Sequence, residues 1–166
     1  MFYSEIQPRV LDFWFNNQVF KKSVDIRKGR EIVFYDGPPF PTGKPHHGTV
    51  LVSFIKDMIA RYWTMRGYKV PRVWGWDCHG LPIENQAEQL LGLTDKTQIE
   101  NQIGIDKFND KCYEIVSTNN ELWRDYIAEM GRWVDYDDAY KTMTPQFMES
   151  VMWAFKECYD KGLIYR

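Results

Sequence analysis

Between residues 36 and 43 the chain reads Asp-Gly-Pro-Pro-Phe-Pro-Thr-Gly, and no other stretch limits its folding as much. Proline has no backbone N–H to give to a helix or a sheet ladder, and glycine favours open turns, so neither helix nor strand can cross this run. Just before it, Glu31-Ile32-Val33-Phe34-Tyr35 is a β-branched and aromatic segment that predicts a short buried strand, set off by a turn at Lys28-Gly29-Arg30. After it, Val50, Leu51, Phe54, Ile55, Met58, Ile59 and Tyr62 recur at spacings of three and four. That spacing predicts an amphipathic helix of about five turns, with its apolar face inward and Lys56, Asp57 and Arg61 on its polar face. Gly67 is placed to end it as a C′ residue. Residues 68–74 then predict a second strand. Strand, breaker loop, helix, strand is a βαβ unit, which requires parallel strands and a right-handed crossover. The fold class is α/β, a parallel sheet with flanking helices.

The remainder reads as helical. Apolar residues within 5–20 predict a helix broken near Asn16-Asn17, and further helices are expected over 82–91, 106–130 and 145–161. Thr144 and Pro145 are the N-cap and first residue of the last one, and Gly162 stops it. Leu163-Ile164-Tyr165 reads as the start of a strand, and a domain rarely finishes on an unpaired strand, so the expectation is a truncated chain. Trp123, Trp133, Trp153 and Phe155 fall at helical positions and read as core, while Asp135-Tyr136-Asp137-Asp138 reads as a solvated acidic turn.

Composition excludes several classes. With 166 residues, 44% hydrophobic, 16% aromatic and 27% charged, the chain has the make-up of one globular domain. A net charge of −2 and a pI near 5.9 provide no overall basic field for nucleic acid. Cys78, Cys112 and Cys158 form no C-x-x-C pair and are odd in number, which fits a reducing compartment better than a disulfide framework. The N-terminus, Met1-Phe2-Tyr3-Ser4-Glu5, has neither a basic nor an apolar leader region, and no apolar run approaches the ~20 residues of a membrane span. The expectation is a cytoplasmic domain.

In an open parallel sheet ligands bind at the carboxyl ends of strands, so the loops at 36–49 and 75–82 are expected side by side on that edge. The first feeds a helix N-terminus, where main-chain N–H groups and the positive end of the helix dipole favour an anion. His46 and His47 stand at its entry, and Gly43 and Gly48 allow close approach of a ligand, so this loop reads as a phosphate site. A Gly/Pro-rich turn before a helix is more often plain architecture, and both readings stay open here. The second loop places Asp77 and His79 beside Trp74 and Trp76. Asp77 can hold a substrate ammonium through a charge-assisted hydrogen bond, and the tryptophans are stacking residues or core. His46, His47, Cys78 and His79 match no common zinc spacing, and no metal site is expected.

Together these residues carry a family resemblance. Asp36-Gly37-Pro38-Pro39, Gly43 and Pro45-His46-His47-Gly48 resemble the HIGH motif region of the class I aminoacyl-tRNA synthetases. Gly75-Trp76-Asp77-Cys78-His79-Gly80-Leu81-Pro82-Ile83-Glu84 is similar to the isoleucyl-tRNA synthetases among them. So are Gly131-Arg132-Trp133, Asp135, Tyr140-Lys141-Thr142, Met148-Glu149-Ser150 and Lys161-Gly162-Leu163-Ile164-Tyr165-Arg166, and the resemblance covers nearly the whole chain. It implies the first half of a Rossmann-like catalytic domain over 31–166, truncated before an editing insertion, with an N-terminal helical extension over 1–30. It implies activation of isoleucine with Mg-ATP as substrate and transfer to tRNA(Ile) by a monomeric cytoplasmic enzyme, with no membrane partner. By the same likeness Gly37, Pro38, Asp77 and His79 serve the amino acid. Pro39, Gly43, His46, His47, Gly48 and Thr49 serve ATP, with His46 and Thr49 as catalytic positions.

The chain departs from the family pattern at one motif position and lacks several of its segments. The motif's second histidine falls on Thr49, which can donate one hydrogen bond but carries no charge. The KMSKS loop, the second half of the nucleotide fold, the editing insertion and the anticodon-binding domain are absent from these 166 residues, so the fragment alone is expected to be inactive. Other readings are a synthetase for another branched amino acid, a non-catalytic nucleotide- or partner-binding module derived from a synthetase, and a small nucleotidyltransferase, which leaves 75–84 unexplained.

Overall fold

The computed structural model describes residues 3–165. Met1, Phe2 and Arg166, which the readings of the leader and of the closing motif include, lie outside the described residues. Helix α1 spans Tyr3–Asn16 and α2 Val19–Asp25. Between them Gln18 adopts a left-handed conformation (φ 50°), which breaks the helix where the asparagines predict it. Helix α3 covers His47–Met65, followed by strand β1 at Val73–Trp76 and helix α4 at Leu81–Leu91. A π-helical turn at Ile99–Ile103 precedes the long α5, Ile105–Glu129. Strand β2, Asp135–Lys141, and helix α6, Pro145–Asp160, complete the order.

From α3 onward the long helices begin and end within a residue or two of where the sequence places them, because their stop signals are local, whereas α2 runs to Asp25, beyond the expected end at 20. Gly67, Gly92 and Gly162 carry positive φ just past α3, α4 and α6, and Thr144 accepts a hydrogen bond from the N–H of Phe147 as the α6 N-cap. The strands differ from the prediction. Residues 31–35 are extended but join no ladder beyond one parallel bridge, Glu31 to Lys69, in which Ile32 N–H donates to Lys69 O and Lys69 N–H to Arg30 O. The parallel sense of the βαβ unit holds; its first strand shrinks to this bridge. The second strand begins later than expected, at Val73. The expected acidic turn at 135–138 is instead the start of β2, which pairs with β1 in a two-stranded sheet. Its three aspartates are exposed, while Tyr136 and the closing residues Ala139, Tyr140 and Lys141 are partly buried, so the acidic residues at its start mask the strand. Residues 163–165 form no strand.

The described chain forms two compact units. The first holds residues up to Gly37, Gly43–Trp74 and Ser117–Asp138. Its interior is aromatic and cationic: Trp14 meets Trp133 edge-on at 5.3 Å, and the Arg61 guanidinium lies 3.9 Å from the Trp133 ring centroid and 4.8 Å from that of Trp14. Asp57 ties α3 to the same region by accepting from Arg61 Nε at 2.5 Å and from the Trp133 N–H at 3.0 Å. Buried Arg72 donates to Thr64 Oγ1 and otherwise faces the rings of Phe20 and Trp133, and burial pulls its pKa down to about 10. The second unit holds Pro38–Thr42, Gly75–Val116 and Ala139 onward. Its core is built by Ala87, Phe108 and Ile115, with Leu91, Leu93, Ile99 and Cys112 packed around them.

The expected orientation of α3 is reversed. Its wide apolar stripe is exposed, Phe54 by 68% and Leu51 by 60%, whereas Ser53, Ala60 and Thr64 are buried and Lys56, Asp57 and Arg61 are half-buried in ion pairs. Small side chains let the helix approach its own unit closely, and charged partners waiting there fix which side faces in. On α6, Trp153 and Phe155 are likewise exposed rather than core, because no described element covers them. Trp123 is buried as expected, and so are Trp74 and Trp76, which resolves them as core.

Candidate functional site

The first loop is anchored from the unit it leaves. Asp36, whose side chain is only 3% exposed, accepts from Lys56 Nζ at 2.5 Å and from Arg132 Nη2. The same lysine donates to the carbonyl of Gly37 at 2.9 Å, and Arg132 Nη1 donates to Ser53 Oγ at 3.1 Å. One carboxylate thus satisfies two cations from different segments, and Lys56 passes that constraint to the main chain where the loop begins. At the far end Gly43 has φ 117°, a conformation that favours glycine, and its carbonyl accepts from the indole N–H of Trp123.

Beyond Gly43 the chain enters α3 through the two histidines. His46 is extended (φ −102°, ψ 171°) and caps the helix with its side chain: Nδ1 accepts from the N–H of Thr49 at 3.3 Å. An accepting Nδ1 carries no proton, so in the neutral imidazole the ring proton sits on Nε2 and is free to donate. Val50 N–H bonds the His46 carbonyl, which leaves the N–H groups of His47 and Gly48 without an acceptor among the described residues. Both residues are exposed. A Cβ added to Gly48 would stand 3.0 Å from His46 Cε1 and 3.1 Å from Nδ1, so glycine is what lets the capping ring lie there. Thr49 is half-buried, with its main-chain N–H committed to the cap.

In the other unit Pro38 and Pro39 meet the second loop directly. The N–H of Asp77 donates to the Pro39 carbonyl at 3.0 Å, which sets these two stretches side by side, although the first loop leaves an extended segment rather than a strand of the sheet. Asp77 is half-buried and His79 exposed, just before α4, whose N-cap Gly80 has φ 92°. Cys78 between them is buried, and burial pushes its thiol pKa up, which keeps it protonated and unreactive. The main chain of this loop is held on both sides of Asp77: Thr142 N–H donates to Trp76 O at 3.1 Å, and Thr142 Oγ1 accepts from Cys78 N–H at 2.8 Å. Upstream, Gly75 faces the ring of Tyr140, where a Cβ would fall 2.1 Å from Cζ.

Sequence reasoning nominated Gly37, Pro38, Pro39, Gly43, His46, His47, Gly48, Thr49, Asp77 and His79. It missed Lys56, Trp123, Arg132 and Thr142, which hold those residues in place. Periodicity puts Lys56 on the polar face of α3, its partner Asp36 lies 20 residues away, and Arg132 is 96 residues from Asp36; nothing local marks either pair. A cleft of about 550 Å³ elsewhere in the first unit is lined by Trp14, Phe20 and Trp133 with Asp125 and Glu129, and none of the nominated residues borders it.

Comparisons with known proteins give the family and the fold. Residues 9–166 match the family model for tRNA synthetases class I (I, L, M and V). The chain is 52% identical over 165 residues to an isoleucine–tRNA ligase of Corynebacterium efficiens, covering 99% of this chain and 16% of that protein. It is 51% identical to the one of Anaplasma marginale, covering 98% and 15%, and 52% identical to the one of Rickettsia typhi over the same shares. The chain therefore spans about one sixth of the length of the curated relatives it matches. Among solved structures it resembles the LeuRS of Agrobacterium radiobacter K84, determined as a ternary complex with tRNA and LeuAMS. The TM-score is 0.69 at 22% identity, covering 96% of this chain and 18% of that one. That likeness establishes the fold as the α/β catalytic fold of a class I synthetase. With the family model matched across nearly all of its length, this chain belongs to the class I tRNA synthetases.

Proposed function

We propose that the protein carrying this chain is an isoleucine–tRNA ligase, which joins isoleucine to ATP as isoleucyl-adenylate and transfers the acyl group to tRNA(Ile). The observation that carries the reading is the identity of about half the residues to isoleucine–tRNA ligases along the whole chain. On this reading residues 31–166 are the first half of the catalytic domain and 1–30 a helical extension, in a monomeric cytoplasmic enzyme. No helix among the described residues is long and apolar enough to cross a membrane.

The roles follow from chemistry. His46 Nε2–H and the N–H groups of His47 and Gly48 donate to the phosphates of Mg-ATP, and the α3 dipole adds to their attraction. These groups stabilise charge as pyrophosphate departs, with no covalent enzyme intermediate. Pro39 and Gly43 shape the loop over the nucleotide, and the Thr49 hydroxyl stands where the family motif has its second histidine. Asp77 neutralises the isoleucine ammonium, with Gly37, Pro38 and His79 around the amino acid. The 166 residues contain no KMSKS-like segment, so the isolated chain is proposed to be inactive.

The test is ATP–pyrophosphate exchange by the protein expressed from its full open reading frame. Isoleucine should stimulate exchange well above valine or leucine. Preference for another branched amino acid would shift the substrate, and no stimulation by any would favour a non-catalytic module.

Gly48→Ala offers a sharper check on the first loop. The added methyl displaces the capping ring, at about 1 kcal/mol for a lost cap, while alanine in place of glycine returns up to about 1 kcal/mol of helix propensity. Stability should therefore stay close to wild type. Adenylate formation should nevertheless fall by about 10²-fold, the scale for losing one transition-state donor, as read by single-turnover kinetics.

A further inference from the structure

The second loop shows how Asp77 is held still. A carboxylate that recognises an ammonium must be aimed within about 0.5 Å, and that precision comes from whatever fixes its own main chain. Asp77 sits in a loop, without a helix or sheet ladder of its own. The groups on either side of it are taken by one residue. Thr142 gives its N–H to the carbonyl of Trp76 and receives the N–H of Cys78 on its hydroxyl oxygen, at 3.1 and 2.8 Å. The Asp77 N–H itself goes to Pro39 O, so the three consecutive main-chain positions are all tied down.

The neighbours of Thr142 reinforce it. Thr142 follows directly on β2, and two residues earlier Tyr140 lies against Gly75 and stacks on Phe147 with centroids 5.8 Å apart and ring planes within 5°. The end of β2 and the start of α6 therefore brace the strand end that bears the loop. Cys78 is buried, so its N–H has no water to turn to if the hydroxyl is removed.

We infer that Thr142 is a positioning residue for amino-acid recognition, its hydroxyl and main-chain N–H together setting the aim of the Asp77 carboxylate. The inference rests on the reading of Asp77 as the ammonium partner. The contacts of Thr142 go to the main chain on either side of Asp77, so its effect falls on isoleucine and passes ATP by.

The experiment compares Thr142→Val, which keeps shape and main-chain N–H but loses the acceptor, with Thr142→Ser, which restores it. Both are made in the protein expressed from its full open reading frame and followed by ATP–pyrophosphate exchange. The valine variant should raise the isoleucine KM about tenfold with the ATP KM unchanged, and the serine variant should return it close to wild type. Should the valine variant not fold, Thr142→Ala takes its place with the same expectation. An isoleucine KM unmoved in the valine or alanine variant overturns the inference, as does a rise that serine fails to rescue or that ATP shares equally. Wild-type protein without isoleucine-dependent exchange would instead bring down the functional reading, and the inference with it. An unmoved KM in variants of an active wild type leaves that reading standing.

Discussion

Replacing Asp36 by alanine is expected to lower the melting temperature of the protein by about 10 °C. The Asp36 carboxylate and the Arg132 guanidinium are 3% and 5% exposed, and Lys56 reaches the same carboxylate from α3. Removing the acid strands two cations, one of them almost fully buried. Breaking a buried pair from one side costs about 3–5 kcal/mol, because the surviving charge keeps its desolvation penalty without its partner. For a domain of this size each kcal/mol shifts the midpoint by about 2–4 °C. The reciprocal change, Arg132→Met paired with Asp36→Leu, removes both charges and should restore much of the loss. Equal melting temperatures for wild type and Asp36→Ala would show that the network is not what anchors the loop. Circular dichroism on heating measures this directly, independently of any activity.

Asp77→Asn is the second large effect, and it should leave stability alone. The hydrogen bonds around this residue that fix the loop use main-chain groups and Thr142, so asparagine disturbs none of them. What it removes is the charge. A charge-assisted hydrogen bond contributes about 1.5–3 kcal/mol, so the isoleucine KM should rise by roughly 10- to 150-fold. The ATP KM should stay near its wild-type value, because the phosphates are assigned to the His46 loop. Steady-state exchange kinetics with each substrate varied in turn separate the two. A variant with normal isoleucine dependence would remove Asp77 from the amino-acid site. A parallel rise in both constants would mean that it shapes the site as a whole rather than holding the ammonium.

The two predictions divide the loops by function. Asp36 acts through architecture: it takes Lys56, and Lys56 takes the carbonyl of Gly37. Asp77 is proposed to act through charge, on a main chain that other groups hold. The contrast explains why carboxylates of similar sequence setting, each at the head of a turn rich in glycine or proline, have different expected phenotypes.

The sequence by itself determined every feature whose cause is local. Helix ends follow from Gly67, Gly92, Gly162 and the Thr144-Pro145 pair, because caps and left-handed stops involve groups within a few residues. The break after α1, the parallel sense of the Glu31–Lys69 pairing and the entry of the 36–43 run into a helix N-terminus were legible for the same reason. Family likeness was legible because the motif residues lie in contiguous runs. The tertiary structure decided what depends on partners far along the chain. The face of α3 turned inward is the one with Ser53, Lys56, Asp57 and Arg61, because Asp36, Gly131, Arg132 and Trp133 wait for it; hydrophobic periodicity alone pointed the other way. Strand β2 hid behind an acidic run because its partner strand β1 lies far earlier in the chain, at Val73–Trp76, and its three exposed aspartates read as a solvated turn. Thr142 was visible as part of a motif, but its grip on both sides of Asp77 was not, since a hydrogen bond across 64 residues leaves no periodic trace in the sequence that makes it.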